Sequence, residues 1–265
     1  MSPTSLLRRR PWTADKLSRR RSRVERMRVT LGDGARTTLQ VASYDRQAFD
    51  PRVVVLARQA PLVRWCSEQG VLDAVVGGFF ARPQYAPLGV VQIDGQRQPS
   101  LPFDAPWGEV RACVQIAGGM LRIARRDQLG ATPDGDVLQA GPLLVLGGRP
   151  AVSDGLDVEG FSAAAHQFDS DITRGRYPRA ALAVAGDRLL TVACDGRTNH
   201  DAGMTLAELA GALVNLGATD ALNLDGGGSA SLIYGGRLVN RPREEHGLDL
   251  LDGRPIVTTI VLQAR

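Results

Sequence analysis

The sequence predicts an α+β fold with a mixed, largely antiparallel β-sheet core and a few flanking helices. Three observations predict it. Short apolar runs of strand length recur along the 265-residue chain, two segments have the apolar spacing of helices, and a Gly-Gly pair joins two strand-like runs. A chain of this length can bury a sizeable core, as one large domain or two small ones.

Short β-type runs dominate the chain and are bounded by turn residues. The predicted strands are Thr37–Ser43, Arg52–Ala57, Ala74–Phe79, Gly89–Ile93, Ala112–Ile116, Leu143–Leu146, Ala181–Ala185, Leu189–Ala193, Ala221–Leu224, Ser231–Tyr234 and Ile256–Leu262. Gly235-Gly236 follows the Ser231–Tyr234 run and precedes Arg237–Asn240. A two-residue turn of this kind matches the twist of a sheet and predicts a hairpin.

Two segments are predicted as helices, Pro61–Gln69 and Thr205–Leu216. In the second, Thr205 and Glu208 have the spacing of a capping box, and Gly217 ends the helix. Its apolar residues keep helical spacing, so one face is predicted to pack on the core: Leu206, Leu209, Ala210, Leu213 and Leu216.

Positive charge is concentrated in residues 1–28, which hold ten Arg or Lys against two acidic residues, a net charge of +8. Since the whole chain carries +4, residues 29–265 carry −4. We therefore predict a flexible basic extension over 1–28 and a mildly acidic domain over 29–265. Nucleic-acid binding is an alternative function for the extension alone. The domain has no basic stripe with interleaved aromatic residues, so it is not expected to bind nucleic acid.

The sequence favours a cytoplasmic protein. No apolar region of a secretion signal follows Arg8-Arg9-Arg10, and no run approaches membrane-spanning length. Three widely spaced cysteines, Cys66, Cys113 and Cys194, fit a reducing compartment and predict neither a disulfide framework nor a zinc site.

Residues 220–231 contain the most informative motif, an apolar run ending in Asp225 and three glycines. Glycines permit a positive φ and close approach of the backbone to a ligand, and successive N–H groups can form an anion-binding concavity. A dinucleotide fingerprint or a nucleophile elbow would need glycine at Ser231, and a P-loop would need Gly-Lys-Ser/Thr. The strand-like run that begins at Ser231 makes this a strand-to-strand loop. From the glycines alone a tight turn is the simpler interpretation, and the flanking Asn223 and Asp225 favour a site that binds a phosphate or a sugar.

Several segments, in order over about residues 70–262, together resemble the phosphodiester glycosidase family. The resembling motifs are Gly77-Gly78-Phe79-Phe80, Gly141-Pro-Leu-Leu-Val145, Arg176-Tyr-Pro-Arg179-Ala, Cys194-Asp195-Gly196-Arg197, Gly203-Met-Thr-Leu-Ala-Glu-Leu-Ala210 and Asn223-Leu-Asp-Gly-Gly-Gly-Ser229. Three positions depart from the family pattern. Val76 stands where asparagine is usual, Ala180 replaces a threonine, and His200-Asp201 precedes Gly203 in place of small or hydroxyl residues.

The resemblance implies a hydrolase that cleaves the bond between a sugar anomeric carbon and a phosphodiester, on a small-molecule or glycan substrate. Such a reaction passes through an oxocarbenium-like state that a carboxylate stabilises or attacks, a role we assign to Asp225. Arg179 would clamp the phosphate, and Asp195 would act on water or orient Arg179. Each has a structural alternative: Asp225 or Asp195 as a turn residue, and Arg179 as half of an ion pair.

The remaining predicted contacts are to the substrate. Asn223 would bond to a sugar hydroxyl, Gly226, Gly227, Gly228 and Ser229 would supply backbone and hydroxyl donors, and Gly78 with Phe79 would form a wall. We expect no cofactor and no metal, although His200 with Asp201, and His166 with Asp169 and Asp171, suggest a weaker metal hypothesis.

An alternative function is non-catalytic binding of the same ligand. In that case, Val76 in place of the family's asparagine would mark the loss of catalysis.

Overall fold

The computed structural model describes residues 21–153, 157–163, 167 and 173–265. Its strands are β1 (Ser22–Thr30), β2 (Arg36–Asp45), β3 (Phe49–Pro61), β4 (Ala74–Val76), β5 (Phe80–Ala81), β6 (Ala86–Pro87), β7 (Val91–Ile93), β8 (Gln96–Arg97), β9 (Ala112–Ala117), β10 (Met120–Arg125), β11 (Asp136–Gln139), β12 (Leu143–Leu146), β13 (Arg149–Pro150), β14 (Arg179–Ala185), β15 (Arg188–Cys194), β16 (Asp220–Asn223), β17 (Leu232–Tyr234), β18 (Arg237–Leu238) and β19 (Pro255–Ala264). Its α-helices are α1 (Leu62–Gln69), α2 (Trp107–Val110) and α3 (Leu206–Asn215).

The strands form three main sheets and one short hairpin. The seven-stranded sheet has the order β1-β2-β15-β14-β16-β12-β13, and the five-stranded sheets are β10-β9-β11-β7-β8 and β18-β17-β4-β19-β3. The pairings between these strands are antiparallel, β5 with β6 included. The predicted antiparallel core is confirmed, but the α+β label and the mixed sheet overstate helix and parallel pairing. Antiparallel neighbours need no helical crossover, so a few short helices suffice.

The central strands of the seven-stranded sheet, β2, β15, β14 and β16, are buried on both faces. Along β14, Leu182 packs in the main core while its neighbours Ala181 and Ala183 pack in a second core with the apolar face of α3. Successive side chains of a strand point to opposite faces, so these strands consist of nearly continuous apolar residues. The sheet is therefore a middle layer. The helix α3 covers one face, and core residues from strands of the other sheets cover the opposite face.

The first strand was not predicted from the sequence. β1 pairs with β2 in unbroken register from Ser22 opposite Tyr44 to Thr30 opposite Arg36. It begins inside the segment 1–28 that we assigned to an extension, while residues 1–20 lie outside the described residues. Three of its nine residues are arginines, and these charges obscured its alternation of partly buried and exposed positions in the sequence.

The helix α3 begins with the predicted capping box. The Thr205 hydroxyl accepts a hydrogen bond from the Glu208 N–H at 3.1 Å, and the Glu208 carboxylate accepts one from the Thr205 N–H at 2.9 Å. Glu208 also forms an ion pair with Arg176, and the Arg176 guanidinium forms a second ion pair with Asp33. The cap thus fixes both the helix start and the segment that enters β14.

We expect Thr205→Ala to lower the free energy of unfolding by about 1 kcal/mol, since it removes the acceptor of one N-terminal N–H. Urea denaturation would measure the loss. Thr205→Ser keeps the hydroxyl and serves as the control, with most of the stability retained. Equal losses in the two variants would show that the capping bond does not stabilise α3.

Candidate active site

Asp225 lies where the seven-stranded sheet meets the β18-β17-β4-β19-β3 sheet. The chain leaves β16 after Asn223, and the Asp225 N–H donates to the Gly77 carbonyl at 3.0 Å, directly after β4. The glycines then make a short 3₁₀ turn, Gly227–Ser229, that leads to β17. Two sheets therefore fix the backbone on both sides of this carboxylate.

Asp225 borders a cavity of about 450 Å³. Four segments of the family-like motifs contribute to its wall, together with the region after β18. The lining residues are Phe79, Phe80, Arg82, Tyr177, Pro178, Arg179, Arg197, Asn223, Leu224, Asp225, Gly226, Gly227, Glu244, Glu245 and Arg254. The volume is in the usual range for a small-molecule site.

Burial raises the pKa of the Asp225 carboxyl to about 6, from an ordinary value of 3.8. The Ser229 hydroxyl, the Arg254 guanidinium and a 2.9 Å hydrogen bond from the Gly226 N–H each offset part of this rise. By geometry, the Ser229 hydroxyl forms no hydrogen bond with another described residue, so its effect on Asp225 is the weaker kind of contact. Asp225 is thus ionised at neutral pH and protonated in mild acid.

Asn223 carries a buried acceptor at the cavity. Its side chain is 1% exposed, and its amide nitrogen donates to the Gly141 and Leu224 carbonyls, each at 2.9 Å. These two acceptors fix the orientation of the amide, and Oδ1 has no hydrogen-bond partner in the described part of the chain. An unpaired buried acceptor is costly, so a ligand hydroxyl donating to Oδ1 would be favoured.

Four arginines give the cavity its positive charge: Arg82, Arg179, Arg197 and Arg254. Arg254 forms a two-bond ion pair with Glu244, at 2.7 and 2.6 Å, and Glu244 lies 3.7 Å from Arg197. Arg179 is 3% exposed and donates to the Met204 carbonyl. The guanidinium groups outnumber the carboxylates of Asp225, Glu244 and Glu245, so the cavity favours an anion.

The N–H groups of Gly226 and Gly227 are not free for the predicted anion-binding concavity. The Gly226 N–H donates to the Asp225 carboxylate, the Gly227 N–H to the Pro178 carbonyl at 2.9 Å, and the Ser229 N–H to the Gly226 carbonyl at 3.1 Å. Those groups are paired within the protein and leave anion binding to the arginines. Gly226 and Gly227 line the cavity, whereas Gly228 and Ser229 are buried behind it.

The other predicted glycine positions are set by packing. A Cβ on Gly77 would lie 2.7 Å from the backbone of Thr258, and one on Gly78 would lie 2.8 Å from the Gln139 carbonyl oxygen. Phe79, which follows, lines the cavity as expected, while Gly78 only adjoins it. Val76 is fully buried in the main core and does not reach the cavity, so its side chain is part of the packing.

The structure does not bring Asp195 into this cavity. Asp195 is 2% exposed, its carboxylate accepts a hydrogen bond from the Arg241 N–H at 2.7 Å, and it lines a second cavity instead. Burial raises its pKa to about 6, and the Arg241 bond offsets part of the rise. Its neighbour Arg197 is the residue of that motif that lines the Asp225 cavity.

Several residues that line the cavity were not predicted from the sequence. Arg197 and Tyr177 lie within motifs already noted, and their positions beside Asp195 and Arg179 were the available signal. No local motif surrounds Glu244, Glu245 and Arg254. The chain after β18 brings these residues to the cavity, so no local pattern predicted them.

No group of three or more His, Cys, Asp or Glu side chains in the described part of the chain could hold a metal ion. Asp201 pairs with Arg28 at 2.7 Å and with Arg243 at 3.5 Å. His166, Asp169 and Asp171 lie outside the described residues. Among the helices described, none is both long and apolar enough to cross a membrane.

Comparison with known proteins gives a family for the chain and similar folds for its structure. The family model described as phosphodiester glycosidase matches residues 69–263. The fold is similar to the zebrafish N-acetylglucosamine-1-phosphodiester alpha-N-acetylglucosaminidase catalytic domain auto-inhibited by its pro-peptide (TM-score 0.69, 17% identity, 92% of this chain and 83% of that one).

Two bacterial structures are also similar. One is a hypothetical protein from Synechocystis (TM-score 0.64, 20% identity, 93% of this chain), of which this chain spans 62% of the length. The other is a Burkholderia pseudomallei protein named as exported (TM-score 0.57, 16% identity, 87% of this chain and 74% of that one). No curated protein sequence matches the chain. At these identities the structural likeness shows the fold.

Proposed function

The chain belongs to the phosphodiester glycosidase family, and we propose that it hydrolyses the bond between a sugar anomeric carbon and the phosphate of a sugar-1-phosphodiester. One observation carries the proposal. Asp225, with its pKa raised to about 6, borders an arginine-rich cavity next to the unpartnered Oδ1 of Asn223. A carboxylate, a hydroxyl-binding group and cations are the groups that such a substrate requires.

In the proposed reaction, the Asp225 carboxylate stabilises or attacks the anomeric carbon as positive charge develops there. The bond from that carbon to the phosphate oxygen breaks, and the phosphate takes the electron pair. Arg254 and Arg197 neutralise the departing anion, since a guanidinium matches phosphoryl oxygens in geometry and charge. Asn223 holds the sugar by accepting a hydrogen bond from one hydroxyl.

A second carboxylate is supplied by the loop after β18. Glu244 is held by Arg254, so its role is to position that arginine. Glu245 is exposed at the cavity, and within the described part of the chain its carboxylate has no ion pair. We assign to Glu245 the activation of the water that completes hydrolysis, the task that sequence analysis gave to Asp195.

We expect Arg254→Gln to lower kcat/KM for a sugar-1-phosphodiester by at least about tenfold, because hydrogen bonds to charged groups are worth about 1.5–3 kcal/mol. Steady-state kinetics would measure this. Arg237→Gln, on the exposed side of β18 and outside the cavity, is the control and should leave kcat/KM unchanged. An unchanged constant in Arg254→Gln would remove this arginine from substrate binding.

The test of the proposal is a hydrolysis assay of the purified protein on a panel of sugar-1-phosphodiesters that includes UDP-N-acetylglucosamine. We expect release of free sugar from at least one member, and none from Asp225→Asn. If no member is cleaved while calorimetry detects binding of one, the protein is a non-catalytic sugar-phosphate binder. Binding to nucleic acid that disappears on deletion of residues 1–20 would favour the alternative based on the basic extension.

We further propose that the protein acts in the cytoplasm, on a small-molecule or glycan phosphodiester. The support is the sequence pattern alone, with its buried thiols Cys66, Cys113 and Cys194. Fractionation of cells that express the full chain would test this, and recovery of the protein outside the cytoplasmic fraction would contradict it.

A further inference from the structure

A second cavity, of about 340 Å³, lies over the face of the seven-stranded sheet formed by β1 and β2. It is lined by Val24, Arg26, Gln40, Asp195, Val239 and Arg241. The sheet register places Arg26 directly opposite Gln40, with Val24 two residues away on the same face. Arg241 and Val239 approach from the segment after β18. None of these residues lines the Asp225 cavity.

The floor of this cavity consists of buried polar groups with unused hydrogen-bonding capacity. Gln40 is 6% exposed, and its amide forms no hydrogen bond with another described residue, so its polar atoms are open to the cavity. Asp195 is 2% exposed, and among the described residues only its Oδ1 accepts a hydrogen bond, from the Arg241 N–H. Both side chains line the cavity, where their free polar atoms can exchange hydrogen bonds with a ligand that supplies hydroxyls.

The rim of the cavity is cationic. Arg26 and Arg241 are both exposed, and within the described residues neither guanidinium forms an ion pair. Their neighbours on β1 behave differently: Arg23 pairs with Glu25, and Arg28 with Asp201. Two unpaired guanidinium groups against one carboxylate leave the cavity with an excess of positive charge, which suits a phosphate.

We propose that this cavity is a second binding site, separate from the one at Asp225, for a phosphorylated sugar or polyol. The phosphate lies between Arg26 and Arg241. The hydroxyls donate to Asp195 and exchange hydrogen bonds with Gln40, and the C–H face of the ligand lies against Val24 and Val239. The volume matches a ligand of this size. The inference stands on this cavity alone and is independent of the proposed function.

Glucose 6-phosphate is a suitable probe, because it carries a phosphate and hydroxyls but has no phosphodiester at its anomeric carbon. We would label the glutamine side chains of the full-length protein with ¹⁵N and follow the Gln40 amide by NMR, assigned by its absence in Gln40→Leu. We expect a saturable shift of this signal with glucose 6-phosphate, and weaker effects of glucose or inorganic phosphate alone.

Variants of the rim complete the test. We expect Arg26→Ala and Arg241→Ala each to weaken binding at Gln40 by about tenfold or more. Arg23→Ala, on the opposite face of β1, is the matched control and should bind as the wild type does, as should Asp225→Asn. The proposal is overturned if the Gln40 signal does not shift, if inorganic phosphate binds as tightly as glucose 6-phosphate, or if the rim variants bind normally.

Discussion

Asp225→Asn is expected to lower kcat for sugar-1-phosphodiester hydrolysis by about 10³-fold, since removing a group that stabilises transition-state charge commonly costs this much. The substitution keeps the size of the side chain and an oxygen for the Gly226 N–H. It removes only the negative charge that the anomeric carbon requires. Steady-state kinetics on the best substrate of the panel would measure the loss.

The pH profile of the wild type gives a second check on the same residue. Because burial raises the pKa of Asp225 to about 6, the carboxylate is lost in mild acid. We expect kcat/KM to fall below about pH 6 in the wild type, and the residual activity of Asp225→Asn to lack this limb. A profile that rises toward acid would instead make Asp225 a proton donor.

The same substitution should stabilise the fold. The folded pKa of about 6 lies above the ordinary value of 3.8, so the contribution of Asp225 to stability is greatest below pH 3.8 and is lost as pH rises through 6. At pH 7.5 the asparagine variant avoids burying a charge, and we expect a gain of about 1–2 kcal/mol in urea denaturation. The gain should disappear near pH 3.5.

Asp220→Asn is the control for these experiments. Asp220 lies at the start of β16, the strand that leads to Asp225, but outside the cavity. We expect it to leave the kinetics unchanged. A loss of activity equal to that of Asp225→Asn would mean that the strand, rather than the carboxylate, is what the assay detects.

Gly77→Ala is expected to lower the free energy of unfolding by about 3 kcal/mol or more, because overpacking that the backbone must absorb is costly. The new Cβ would lie 2.7 Å from the carbonyl carbon and oxygen of Thr258 and would also overlap its hydroxyl. Since the Gly77 carbonyl accepts the Asp225 N–H, the shift would reach the site. Urea denaturation and the hydrolysis assay would measure the two effects.

Gly211→Ala is the matched control. Gly211 lies within α3, and a Cβ there has nothing within 4 Å. Alanine is the better helix former, so this variant should gain up to about 1 kcal/mol. A Gly77→Ala variant as stable as the wild type would contradict the prediction. It would mean that the paired backbones of β4 and β19 can move apart at little cost in free energy.

The strands and the capped helix were predictable because their signals are local. Alternating or continuous apolar runs identify β14 and β15, and the Thr205–Glu208 spacing identifies the start of α3. β1 was missed because its partner β2, rather than its own charged sequence, makes it a strand. The proportion of helix was overestimated for a similar reason. The sheets pack largely against one another, so they need few helices to cover their apolar faces.

The site was predictable only in part. Asp225, Asn223 and Arg179 stand in recognisable motifs, and all three line one cavity. Glu244 and Arg254 join them through contacts between distant segments, which no local pattern reveals. Asp195 fails in the opposite way: its motif is clear, but its side chain turns to the Arg241 N–H and a different cavity. The backbone donors of the glycine loop were predicted from its motif, but those of Gly226, Gly227 and Ser229 bond to other atoms of the protein.

The strands β1 to β3 lie before residue 69, where the family match begins, and this has a practical consequence for expression. A fragment cut at the matched boundaries would lose β2 from beside β15, and β3 from beside β19. Both remaining strands would then present long unpaired edges, which invite association between chains. Soluble material for any of these measurements should therefore include the chain from Ser22 onward.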